Sequence, residues 1–404
     1  MPLFDTTVAS ALVHLISGFS VVPEVWEDCM TSIDVTAPPR DVPERTRAAV
    51  EPPLRAVLAG LPDSTREVAE YGLAGHDLTT AALTLLCAEA IGDAADAVRV
   101  AVALELAHLH EHLHADLMAR AVSRNHRPSA WVEFGDERAV GTAEELLSLA
   151  FTLLTKPEVV ALNTALLSVV DGYVQELDMD ERDDVDLAEH LGVAAAKHSA
   201  LTATACELGA LAAGATRAQA DDFREFGDDI GLARKHVDDV LAIWGGAVVS
   251  GRPLYDDLAH RRRTLPVAAA INAGTDVYAG DASPRERAAL VERAGGRRWC
   301  EQQAELLLAR ALGHLRRAAP GAADELAGFA RSVTTARCAP QPVLQPAVQP
   351  VPQLVSRSAA QPVPQSATQL ATQQLVPQPA TQPVPQPVVP AQPKAEPQTE
   401  LTLF

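Results

Sequence analysis

Aromatic residues are scarce in this chain: Phe, Trp and Tyr make up 4% of its 404 residues. With few rings and abundant Ala and Leu, a helical core is favoured over a β-sandwich. Basic residues are outnumbered, 33 Lys and Arg against 53 Asp and Glu, for a formal net charge of −20. That sign disfavours nonspecific binding to nucleic acid or anionic membrane. Cysteine is sparse, and Cys29, Cys87, Cys206, Cys300 and Cys338 show no paired spacing. This argues for reduced thiols and a cytoplasmic protein, against a disulfide or zinc framework. The apolar stretch Val8 to Val22 is interrupted by His14 and Ser17 and follows Asp5 rather than basic residues, unlike a secretory signal. No later run is long and apolar enough to span a membrane. Ser123 and Ser129 lack a nucleophile-elbow context.

Three segments are expected. Residues 1–41 form a leader running into the proline-rich TAPPRDVPER. Residues 42–337 carry helical periodicity, as in Leu146, Leu147, Leu149, Ala150, Leu153 and Leu154, with breaks at Pro128, Pro157, Pro253, Pro284 and Pro320. Residues 338–404 collapse to Gln, Pro, Val, Ala and Thr, with QPVPQ at 361–365 and 382–386. Such a composition buries too little apolar surface to offset chain entropy, so a disordered tail is expected. The acidic run from Glu176 through Asp178, Asp180, Glu181, Asp183, Asp184 and Asp186 reads as a solvated loop. It matches no calcium loop.

The most informative stretch is residues 226–266, FGDDIGLARKHVDDVLAIWGGAVVSGRPLYDDLAHRRRTLP. It resembles the second aspartate-rich region of the trans-isoprenyl diphosphate synthases, the polyprenyl synthetase family, worded FGxxxGxAFQIxDDxLD and then GKPxGxDLxxGKxTLP. Phe226, Gly227, Gly231, Ala233, Asp238, Asp239, Leu241, Gly251, Pro253, Asp257, Leu258, Thr264, Leu265 and Pro266 coincide without a gap inside either motif. FQ becomes Arg234–Lys235, the third acidic position is Ala242, and the lysine of GKxT is Arg262.

Residues Glu105 to Pro128, ELAHLHEHLHADLMARAVSRNHRP, align with the family's ELxHxxxLxHDDxMDxxxxRRGxP. Glu105, His108, His114, Asp116, Met118, Arg124 and Pro128 coincide, while Ala115 and Ala119 replace the two carboxylates that share a helix face and grip Mg²⁺. The homoallylic diphosphate motif GGKRLRP corresponds to YGLAGHDLTT at 71–80, where His76, Asp77 and Thr79 stand for basic residues. An aspartate facing a diphosphate repels it. The usual KT is Lys197–His198, and the paired arginines are Arg124–Asn125.

The histidines 108, 110, 112 and 114 alternate. On a helix His108 and His112 share one face, and His110 and His114 another about 160° away. Glu105 with His108, and Glu111 with His114, repeat a Glu-x-x-His spacing used in helical metal sites. No single face presents all four imidazoles.

The resemblance implies an all-α isoprenoid-synthase bundle around a central cavity, Mg²⁺ if the protein is active, and allylic isoprenyl diphosphates as ligands. It assigns Asp238, Asp239 and Lys197 to catalysis and Arg124, Arg234, Lys235, Arg252 and Arg262 to diphosphate binding. Asp238 and Asp239 are its metal ligands, with Asp116 and His114 as weaker ones. A homodimer, or a heteromer with another prenyl synthase, is implied as well. The tail offers either a tether to a protein partner or compartment shell, or a solubilising appendage. Three readings remain: a prenyltransferase-like protein with impaired or altered chemistry, a non-catalytic partner subunit, and a terpene-cyclase-like enzyme.

Overall fold

The structure, a computed structural model, describes residues 42–182, 184–245 and 253–335. The 1–41 leader, the 338–404 tail and Arg252 lie outside the described residues. Helix α1 spans Val42–Leu58, α2 Asp63–Leu73, α3 Thr79–Glu89 and α4 Ala95–Met118. A two-residue hairpin follows, β1 Ser123–Arg124 against β2 Arg127–Pro128, antiparallel with Ser123 opposite Pro128. Then come α5 Ala130–Phe134, α6 Asp136–Thr152, α7 Lys156–Asp180, α8 Leu187–His198, α9 Ala200–Ala212 and α10 Arg217–Trp244. Short α11 Asp256–Ala259 and α12 Leu265–Asn272 precede α13 Pro284–Arg293, α14 Gly296–Ala318 and α15 Asp324–Val333. The protein is all-α as expected, and that hairpin is its only strand pair among the described residues.

Helix α4 is central because its first half is largely apolar and buried on nearly every side: Ala97, Val98, every residue from Val100 to Ala107, the carboxylate of Glu105 included, and Leu109 are buried. It packs in a core with Leu54, Leu58, Leu146 and Leu162. A second core joins Leu83 and Leu86 of α3 to Phe223, Phe226 and Ile230 of α10 and Leu315 of α14. The glycines of the FGxxxG motif have a packing reason. A β-carbon on Gly227 would stand 2.7 Å from the Thr202 carbonyl oxygen, and one on Gly231 2.8 Å from that of His198. Only bare backbone lets α10 lie this close to the end of α8 and the start of α9.

Helix starts follow capping chemistry. Thr216 with Gln219, Asp186 with Glu189 and Ser283 with Glu286 form capping boxes for α10, α8 and α13. Pro157 and Pro284 sit in first turns, where a missing N–H costs nothing. The acidic run departs from the expected solvated loop: Glu176 and Asp178 belong to the last turns of α7, and Asp186 caps α8. No helix among the described residues is long and apolar enough to cross a membrane.

At three positions where the family wording has glycine, this chain has His126, Tyr255 and Arg261, each at positive φ (64°, 63° and 57°). The backbone keeps a left-handed turn that side chains disfavour by about 1–2 kcal/mol per residue. The turn geometry outlasted the residue that suits it.

Candidate functional site

The α2–α3 connection, the last turns of α4 and the middle of α10 supply the side chains in question. Asp77 accepts the Thr79 backbone N–H at 3.0 Å, fixing the turn before α3. Its other oxygen takes a 2.5 Å hydrogen bond from Arg234 of α10. Against local desolvation, Arg234 and that N–H hold the Asp77 carboxyl well below the usual carboxylate range. Beside it, His76 Nδ1 donates to Glu105 at 3.0 Å, while Glu105, itself buried, also accepts the Ala81 N–H at 2.8 Å. Asn125, at the position of the family's second arginine, donates to the Gly75 carbonyl at 2.6 Å and braces this loop.

On α4, Asp116 is buried and receives Arg124 in a bidentate pair, both contacts 2.8 Å. His108 Nδ1 lies 3.1 Å from Thr80 Oγ1, and His112 Nδ1 lies 2.9 Å from His76 Nε2. Burial pushes His108 down to about 4 and His112 well below the ordinary imidazole range, so both are neutral at pH 7. On the opposite face His110 meets the Ala143 carbonyl at 3.0 Å and His114 meets Glu144 at 3.0 Å. The two-face expectation for the histidine run holds. His76 was not foreseen as a member of the cluster; it comes from another loop, and no spacing rule reaches it.

The second motif divides. Asp239 is buried, bound by Lys235 at 2.8 Å and by the Leu265 N–H at 3.0 Å, so it anchors the start of α12. The Asp238 side chain is 60% exposed, with Arg234 3.9 Å away. Lys197 of α8 donates to Glu176 at 2.6 Å and lies 4.1 Å over the Tyr173 ring, whose hydroxyl donates to Glu111 at 2.7 Å. Burial pulls the Lys197 ammonium below the usual lysine range, against the pull of Glu176. Arg262 pairs with Asp257 at 2.8 Å and reaches the Ala119 carbonyl at 3.3 Å, linking the second motif's loop to the end of α4.

A divalent-metal cluster of the family's kind needs several free carboxylates facing one another. Ala115, Ala119 and Ala242 supply no ligand oxygen, Asp116 is held by Arg124, and Asp239 by Lys235 and a backbone N–H. The exposed Asp238 remains from the two motifs, and it does not by itself fit such a cluster. His114 pairs with Glu144 instead.

A polyprenyl synthetase family model matches residues 63–295. The (2E,6E)-farnesyl diphosphate synthase of Mycobacterium tuberculosis is 34% identical over 290 residues, covering 63% of this chain and 81% of that protein. The geranylgeranyl diphosphate synthase of the same organism is 33% identical over 286 residues, with 63% and 82% covered. A polyprenyl synthetase structure from Streptomyces coelicolor A3(2) superposes with a TM-score of 0.65 at 32% identity, covering 75% of this chain and all of that one. A match over more than half of the chain, carried by the same helices that hold the motif residues, amounts to membership: the chain belongs to the polyprenyl synthetase family of isoprenoid biosynthesis.

Proposed function

We propose that this protein acts on the isoprenoid pathway as a prenyltransferase-like chain that binds allylic isoprenyl diphosphates weakly and does not support ordinary chain elongation. One observation carries the reading. Each described cation assigned to catalysis or diphosphate binding already has a carboxylate partner within the chain: Arg124 with Asp116, Lys197 with Glu176, Arg234 with Asp77, Lys235 with Asp239, Arg262 with Asp257. A diphosphate entering here must displace an internal acid at each contact, so it exchanges one ion pair for another instead of gaining one. Losing one preorganised electrostatic contact typically lowers a rate by about 10²–10³, and several are altered here, although such losses are not additive. The relatives' names point to isoprenyl diphosphates of the farnesyl and geranylgeranyl kind as the ligand class.

The homodimer reading draws on α7. Val160, Leu167, Val170, Val174 and Leu177 are all more than half exposed, although Leu162, Ala165, Leu166 and Val169 of the same helix are buried in the core. Spacings of seven, three, four and three residues make the outer set a coiled-coil-like seam. A helix apolar on both sides calls for a second covering surface. A second copy of this chain, related by a two-fold axis, supplies an identical seam and is the partner we assign.

Calorimetry with isopentenyl diphosphate and Mg²⁺ tests the loss of the homoallylic site at His76, Asp77 and Thr79. The expected result is no saturable binding at millimolar ligand. Tight, Mg²⁺-independent binding would overturn it.

A further inference from the structure

We propose that His76, His108 and His112 form a binding site for a single first-row transition-metal dication of the zinc or cobalt class. Their candidate ligand nitrogens all lie within 4.8 Å of one another. A zinc ion sits about 2.0–2.1 Å from an imidazole nitrogen, so inward shifts of under about 1 Å bring three nitrogens onto one ion.

The surroundings orient these rings as ligands. Glu105 only accepts, so His76 donates from Nδ1 and turns its Nε2 lone pair toward His112 Nδ1, 2.9 Å away, where the ion would come between them. Glu105 is itself fixed by the Ala81 N–H. A buried carboxylate gripping the far nitrogen of a histidine is the arrangement that sets tautomer and basicity in metal sites. Thr80 Oγ1 engages Nδ1 of His108, leaving its Nε2 for a ligand. His108 and His112 stand one helical turn apart on α4, with ring centroids 4.2 Å from each other, and His76 closes the triangle from the α2–α3 connection.

Neutral imidazoles suit zinc, cobalt and nickel, whereas Mg²⁺ prefers oxygen ligands. A small cavity of about 40 Å³, lined by His76, His112, Asp116 and Arg124 among others, adjoins the triad. It has room for the water or anionic oxygen that would complete the coordination of a three-histidine ion. The neighbouring guanidiniums of Arg124 and Arg234 are neutralised by Asp116 and Asp77, which lessens their repulsion of a dication. Bound there, the ion would fasten the α2–α3 connection to α4.

The test uses the full chain stripped with EDTA, then titrated with Zn²⁺ alone by calorimetry and with Co²⁺ alone by visible absorption. One ion per chain should bind at micromolar protein, with intense Co²⁺ bands and a Zn²⁺-dependent rise in Tm. His112→Leu and His76→Lys, which restore the residues of the family wording, should each weaken binding by at least ~100-fold. Glu105→Gln, which keeps all three ligands, should weaken it ~10–100-fold. The double variant His110→Ala/His114→Ala removes the second histidine cluster, with Glu144, and should leave this ion in place. Circular dichroism confirms that each variant is folded. Should either single ligand variant fail to fold, the other carries the test. No Zn²⁺ binding by the wild type would overturn the proposal. So would binding unchanged in the folded His76 or His112 variant, or abolished by the His110/His114 pair.

Discussion

Arg234 of α10 and Asp77 of the α2–α3 connection, 157 residues apart, are joined by a 2.5 Å hydrogen-bonded ion pair. Both charges are new relative to the family wording, which has phenylalanine at the first position and arginine at the second. The acid that spoils the homoallylic wall and the base that replaces an aromatic ring on α10 neutralise each other. Charge that would have faced a substrate instead runs from wall to wall.

Breaking that pair should partly reopen the site. Asp77→Ala frees Arg234 for an anion, and Asp77→Arg adds a second fork-shaped donor. The pair is partly exposed, which limits its worth to about 1 kcal/mol. Affinity for inorganic pyrophosphate should therefore rise roughly 3–10-fold in the alanine variant and further in the arginine variant. Calorimetric isotherms identical to wild type would show that the pair does not occupy the anion's place.

His236 should limit stability in acid. It is 1% exposed, lies 5.3 Å from the Trp299 ring, and neither ring nitrogen has a hydrogen-bond partner among the described residues. Burial, then the neighbouring Lys235, lowers it to about 4. The unfolded chain, near 6.5 at this residue, takes the proton first as pH falls. The stability this residue contributes is therefore intact above pH ~6.5 and is lost progressively toward pH ~4. His236→Ile, the family's residue here, should stabilise by about 1–2 kcal/mol at neutral pH by removing buried unpaired nitrogens. It should also reduce the fall in Tm between those limits. A variant with the same acid profile as wild type and a lower Tm would refute both statements.

The α7 seam gives a third expectation. Leu167→Glu combined with Val174→Glu places charge at the centre of the outer stripe and should convert a dimer to a folded monomer. Light scattering coupled to size exclusion reads the mass directly. A wild-type monomer, or a dimer that survives both substitutions, would exclude this face as the contact.

The sequence made some of this legible and hid the rest for physical reasons. Helical class followed from periodicity and composition, and the register of both motifs from identity at spaced positions. Proline rules placed the starts of α7 and α13, yet Pro52 and Pro53 lie inside α1, where the same rule expects a break. The acidic run was legible as charge but not as partnership. That Glu176 belongs to Lys197, and Asp77 to Arg234, depends on distances between helices that no linear spacing encodes. Asp238 and Asp239 look equivalent in sequence. The helix turns one toward solvent and the other under Lys235 and the start of α12.

The most direct measurement is product analysis after incubating purified protein with isopentenyl diphosphate and dimethylallyl, geranyl or farnesyl diphosphate, with Mg²⁺ or Mn²⁺. With the described cations of the wall paired internally and one exposed aspartate left from the two motifs, no elongated prenyl diphosphate should form above the no-enzyme background. Sustained elongation with any of these allylic partners, lost on Asp238→Ala, would contradict the account.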